Sequence, residues 1–218
     1  MDWHAWHSAY DSPGSPLVQR LRSVQEQIAL ALDQAPPGPL RAISVCAGQG
    51  HDLLGALAEH PRRRDVTARL VELDERNVTR IRSGATALGL DQVEAVRGDA
   101  AETDRYTDLA PADLVLLCGL FGNIADEDIA RTVGYCERLC ATGGTLVWTR
   151  NRKEPDRFPW ICGLLEERGF TRVWLNSAEA RQGVGVHRFT GTPEPLAAGE
   201  RMFTFIGYDA MPSASWTL

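Results

Sequence analysis

Lysine is almost absent from this chain. Lys153 is the only one, and arginine supplies the rest of the 23 cationic side chains, a bias read as one of coding rather than of function. Cations are also outnumbered by 29 carboxylates, which gives a formal net charge of −6 and an isoelectric point near 5.4. That balance argues against the basic stripe that phosphate-backbone binding needs, so no nucleic-acid partner is expected. Long apolar runs are missing too. None reaches the roughly 20 residues of a membrane-spanning helix, and the opening residues lack the apolar core of a signal peptide. Cysteine is sparse and odd in number (Cys46, Cys118, Cys136, Cys140, Cys162), without zinc-site spacing. Cys136 and Cys140, one helical turn apart, read as buried thiols. The expectation is a reduced, cytoplasmic protein with no metal site and no membrane partner.

What is present is ordinary globular composition, 44% hydrophobic and 24% charged over 218 residues, enough for one well-buried domain, or one domain with an appendage. Leu17, Leu21, Val24, Ile28 and Leu32 recur at helical spacing and predict an amphipathic helix. It stops before "APPGP" (35–39), the clearest linker. The division expected is a helical cover over residues 1–34 and a main domain over 35–218. Beyond the linker the pattern alternates. Strands are predicted at 40–47, 67–73, 93–99, 112–121, 145–150 and 170–176, with helices at 51–60, 75–90, 126–140 and 156–168. Such alternation gives a doubly wound, mostly parallel sheet with helices on both faces. Two further candidate strands, "VGVHRFT" (184–190) and "RMFTFIGY" (201–208), compete to close a seven-stranded sheet as an antiparallel hairpin. The sequence leaves that choice open.

The turn after strand one reads "VCAGQGHDLLG". Gly48 and Gly50 remove Cβ atoms that would keep a ligand off the backbone, and the following helix points free amides at the same place. Leu53 occupies the third glycine position of G-x-G-x-x-G, so a dinucleotide fingerprint fails. Strand two ends in "VELD", placing Glu72 where a carboxylate can accept both ribose hydroxyl protons. Strand three ends in "GDA", placing Asp99 to accept from an adenine amine with the amide of Ala100 beside it.

In that order the segments resemble the class I S-adenosylmethionine-dependent methyltransferases. "CAGQGHDLL", "VELD", "GDA" and "ADLVLLCGLFGNI" look like the family's first four motifs. The resemblance implies that Cys46, Ala47, Gly48, Gln49 and Gly50 surround the methionine end of S-adenosylmethionine. It also implies that Glu72, with Asp74 as the alternative, binds the ribose, and that Asp99 and Ala100 hold the adenine. Cys118 and Gly119 would border the reaction site. Ser44 stands where the family often has an acid, and Cys46 where it has a glycine. The methionine amine would then be held through water or carbonyls.

"CGLFGNI" differs from the N/D-P-P-Y/F segment of amino-methylating enzymes that act on DNA and protein glutamine. With the acidic charge this points to a small-molecule acceptor, and Asn123 and Arg150 are candidate contacts for it. The opening "MDWHAWHSAYDSPGSPL" puts Trp3, Trp6 and Tyr10 at helical spacing, a candidate apolar wall over the site mouth. His4 and His7, or His187 among the glycines of "VGVHRF", are candidate proton acceptors. Each competes with a structural role. The same residues also admit a cofactor-binding module without transferase activity, a protein or nucleic-acid methyltransferase, or more remotely a nicotinamide enzyme. Oligomeric state is not legible.

Overall fold

The computed structural model describes residues 15–207. The first helix, α1 (Pro16–Gln34), is started by Ser15, whose hydroxyl accepts from the Leu17 amide at 3.2 Å, with proline in the first turn. It ends at the Ala35-Pro36-Pro37 stop. There the Arg62 guanidinium donates to the carbonyls of Leu32, Ala35, Pro36 and Gly38 at 2.8–2.9 Å, so one side chain closes the helix and holds the linker.

The remaining elements alternate: β1 (Leu40–Val45), α2 (His51–Leu57), β2 (Val66–Glu72), α3 (Glu75–Ala87), β3 (Val93–Arg97), β4 (Ala112–Leu117), α4 (Asp126–Leu139), β5 (Cys140–Asn151), α5 (Phe158–Glu167), β6 (Phe170–Leu175) and β7 (Gln182–Phe189). The strands form one seven-stranded sheet in the order β3-β2-β1-β4-β5-β7-β6. The five strands β1 to β5 run parallel, and β7 lies antiparallel between β5 and β6.

Period-two alternation fills both faces of the sheet. Ile43, Val45, Val115, Leu117, Leu146 and Trp148 point into one core under α4 and α5. Ala42, Leu114, Leu116 and Val147 point into the other, where they meet Val24, Ile28 and Leu32 of α1 together with α2 and α3.

The expected architecture is the observed one, and the C-terminal hairpin is β6–β7. The sheet is closed by 182–189. Over its described residues 201–207 the "RMFTFIGY" segment is not a strand: Arg201 makes an isolated bridge to Glu102 and 202–207 are irregular. Its apolar residues serve another end, since Met202 and Phe203 are buried where the segment crosses the carboxyl edge of the sheet. Three predicted strands also overrun by two residues or more, β3 stopping at Arg97. β1 stops at Val45 and β4 at Leu117, because the chain turns there to build the site described next.

Candidate active site

The order reversal between β1 and β4 opens a cavity of about 990 Å³ at the carboxyl ends of the strands. Its floor is the turn after β1. Cys46, Gly48 and Gly50 are all left-handed, with φ of 54°, 57° and 75°. Glycine adopts this at no steric cost, whereas Cys46 carries about 1 kcal/mol of strain. The turn is pinned by the Ala47 amide donating to Val71 and the Gly50 amide donating to Ala47, at 3.0 and 2.9 Å. Cys46, Ala47, Gly48 and Gln49 line the cavity. Gly50 lies beneath it, because a Cβ there would come within 3.1 Å of Leu70 and Ile81. Its glycine therefore serves helix-on-sheet packing. Burial raises the Cys46 thiol well above the usual range, and the Glu72 and Asp99 carboxylates push the same way, so it stays neutral.

Glu72 ends β2 and is half-buried. One carboxylate oxygen accepts the Gly48 amide at 2.8 Å and the other accepts the Asp74 amide at 3.0 Å. Burial raises its pKa, against hydrogen bonds from Asp74, Gly48, Asn77 and Leu73 that lower it. These bonds tie β2 to the glycine turn and hold the carboxylate at the cavity wall. Asp74 also lines the cavity and caps α3, accepting from the Arg76 amide at 2.8 Å.

Asp99 follows β3. Its Oδ1 accepts from the Ala101 amide at 3.0 Å, and its Oδ2 pairs with Arg201 at 2.6 Å. The buried Tyr106 hydroxyl donates to the Ala100 carbonyl at 2.8 Å and fixes the same turn. Ala100 completes this side of the cavity.

Beyond β4, Cys118 and Gly119 form the opposite wall. The Gly119 amide donates to the Thr149 hydroxyl at 2.8 Å, and Asn123 Nδ2 donates to the Gly119 carbonyl at 2.6 Å. Asn123 Oδ1 is enclosed without a hydrogen-bond partner. Arg150 lines the same end and donates to the Phe121 carbonyl. The structure thus brings together Cys46 to Gln49, Glu72, Asp74, Asp99, Ala100, Cys118, Gly119, Asn123 and Arg150.

His187 lies elsewhere. It is fully buried on β7, its Nδ1 accepts the Trp148 indole N–H at 3.1 Å, and it is not among the lining residues. The glycines beside it admit rings rather than a ligand. A Cβ at Gly185 would stand 2.5 Å from Trp148, and one at Gly183 2.4 Å from Phe158. Trp3, His4, Trp6, His7 and Tyr10 lie outside the described residues.

Sequence reasoning missed Arg20, Asp52, Thr149, Arg201, Phe203 and Phe205, all of which line the cavity. Asp52 had a signal, since it stands one position into α2 directly after the glycine turn. Its Oδ1 is enclosed without a hydrogen-bond partner. Arg201 and Phe203 had none, because they arrive from a segment about 100 residues after the strand they cover. That segment is held by backbone bonds from Thr103 to Glu200, Met202 to Ala101, and Ile206 to Asn123, at 2.9–3.0 Å.

A protein-family model described as "Putative methyltransferase" matches residues 15–175. Comparison with curated proteins gives no match. Among solved structures, the chain is similar to an O-methyltransferase family protein from Burkholderia thailandensis. The two are 19% identical, with a TM-score of 0.61 over 84% of this chain and 56% of that one. It is also similar to the CurJ carbon methyltransferase, at 16% identity and a TM-score of 0.67 over 84% and 57%. A ribosomal-RNA methylase from Streptococcus thermophilus is 14% identical, with a TM-score of 0.57 over 76% and 95%. The chain spans little more than half of the first two. At these identities the likeness is one of fold.

Proposed function

The chain belongs to that methyltransferase family and has the class I fold, and from this premise we propose that it transfers a methyl group from S-adenosylmethionine to a small-molecule acceptor. The observation that carries the reading is Glu72. Its carboxylate is locked between the Gly48 and Asp74 amides at the edge of the cavity, where a ribose diol would meet it. The residues present fit the rest of the cofactor. Asp99 and Ala100 would take the adenine. Asp52, with its enclosed and unpartnered carboxylate oxygen, would take the methionine amine in place of the acid that Ser44 replaces. Arg20, buried beside Gly119, would face the methionine carboxylate.

Bound there, the cofactor supplies an electrophilic methyl group on a sulfonium. The chain's own part is to align the acceptor near Gly119 and Asn123 and to keep water away. Phe203 and Phe205 furnish part of the apolar wall. Trp3, Trp6 and Tyr10 are proposed to complete it, and His4 or His7 to accept a proton where the acceptor releases one. The net charge of −6 supports a small acceptor over a nucleic acid. The free cysteines support a reducing, cytoplasmic setting.

Calorimetric titration with S-adenosylhomocysteine tests the reading. Wild type is expected to bind in the micromolar range. Glu72→Ala, shown folded by circular dichroism, is expected to bind roughly a hundredfold more weakly, since two charge-assisted bonds are lost. A folded wild type that binds neither this ligand nor S-adenosylmethionine would sink the cofactor assignment.

A further inference from the structure

The two ends of the cavity differ in charge. Around the glycine turn and the ends of β2 and β3 the acids Glu72, Asp74 and Asp99 outnumber the cation there, Arg201, which pairs with Asp99. Past Gly119, near the carboxyl end of β5, the cavity's charged side chains are Arg150, Lys153 and Arg181. Topology collects them. Because β7 is antiparallel to β5, with Asn151 opposite Gln182, the residue just before β7 arrives at the edge where β5 ends. In a chain of net charge −6, a cationic end is not a by-product of composition.

Arg150 is the centre of this end. It is half-buried, its Nε is enclosed with no hydrogen-bond partner, and no carboxylate pairs with it among the described residues. The acids whose charge reaches it, Asp126 and Asp156, are engaged elsewhere. Asp126 pairs with Arg157 at 2.8 Å, and Asp156 pairs with Arg152 at 3.3 Å and accepts the Phe158 amide at 2.9 Å. A partly desolvated guanidinium without a counter-ion is unfavourable, so its placement at a cavity wall calls for an anion from outside the fold. Its planar donors match a carboxylate or phosphate.

We infer that the acceptor is a small organic oxyanion, its carboxylate or phosphate seated on Arg150 within the field of Arg181 and Lys153. Its apolar body lies against Phe203 and Phe205. The inference rests on the methyltransferase reading above, which makes this end of the cavity the acceptor's. The cations also raise the encounter rate of such an anion with an otherwise acidic protein.

Matched probes test it: 4-hydroxybenzoate, phenyl phosphate and the neutral 4-hydroxybenzamide. Each is titrated by nuclear magnetic resonance into the full chain saturated with S-adenosylhomocysteine. At least one anion is expected to bind roughly tenfold or more tightly than the amide, with the gap shrinking as salt rises. The tighter of the two anions distinguishes carboxylate from phosphate. The gap is expected to close in Arg150→Met and to narrow a few-fold in Arg181→Ala, an exposed position where folding is not at stake. Equal binding of amide and anions, no detectable anion binding, or a gap that survives both substitutions in folded protein overturns the inference. Binding of S-adenosylhomocysteine to wild type is measured first. Failure there counts against the cofactor assignment, and the anion preference is then read in cofactor-free protein.

Discussion

His187 is fully buried on β7, where its Nδ1 accepts the Trp148 indole proton and its Nε2 has no hydrogen-bond partner. Burial lowers its pKa from 6.5 to about 4. The unfolded chain therefore takes up this proton near pH 6.5 while the folded chain resists it until near pH 4. Stability from this residue is full above pH 6.5 and is lost as pH falls through that window. By pH 5.5 the loss reaches about 1.4 kcal/mol. Urea unfolding at pH 7.5 and 5.5 should show it in wild type and not in His187→Gln; an unchanged difference in the variant would place the titration elsewhere. The same physics governs the thiols. Burial raises all five cysteines, so none is a ready nucleophile. Histidine type and glycine neighbours were visible in "VGVHRF", but the burial that fixes the proton was not.

Along β7 the glycines belong to the packing of two elements. Trp148 of β5 and Phe158 of α5 lie 4.4 Å apart between ring centroids, and Gly185 and Gly183 leave the room they occupy. Gly185→Ala would press a methyl group to 2.5 Å from the indole, in a sheet where both partners are fixed by pairing. A loss of about 2–3 kcal/mol is expected from such overpacking, read by denaturant titration, with indole fluorescence altered as well. A loss under 0.5 kcal/mol would mean that the ring simply moves aside. Elements of this kind were legible as types. Their ends were less so, because turns such as Cys46–Gly50 and Cys118–Gly119 follow the cavity rather than the apolar pattern.

Over the whole molecule, residues 199–207 tie the Asp99 side of the cavity to its Asn123 side. Arg201 pairs with Asp99, Phe203 is buried, and the amides of Ile206 and Gly207 both donate to the Asn123 carbonyl. Phe203 belongs to the core and to the cavity wall at once. Phe203→Ala should cost about 3–5 kcal/mol in unfolding free energy. It should also weaken S-adenosylhomocysteine binding severalfold in protein still folded at the assay temperature. Full stability with weakened binding would make the segment a cover rather than part of the fold.

The order of elements, the parallel sheet and the strand-end acids Glu72 and Asp99 were determined locally. Period-two and helical spacing, glycine turns and the residue types at strand ends are properties of short stretches of chain, and they do not depend on what lies across the sheet. Which strand closed the sheet, whether His187 reached the site, and how Arg201 and Phe203 joined it were decided only by tertiary structure. Each depends on contacts between residues tens to more than a hundred positions apart. Such pairings are set by crossover topology and by the burial of whole faces, and no short window of sequence encodes them.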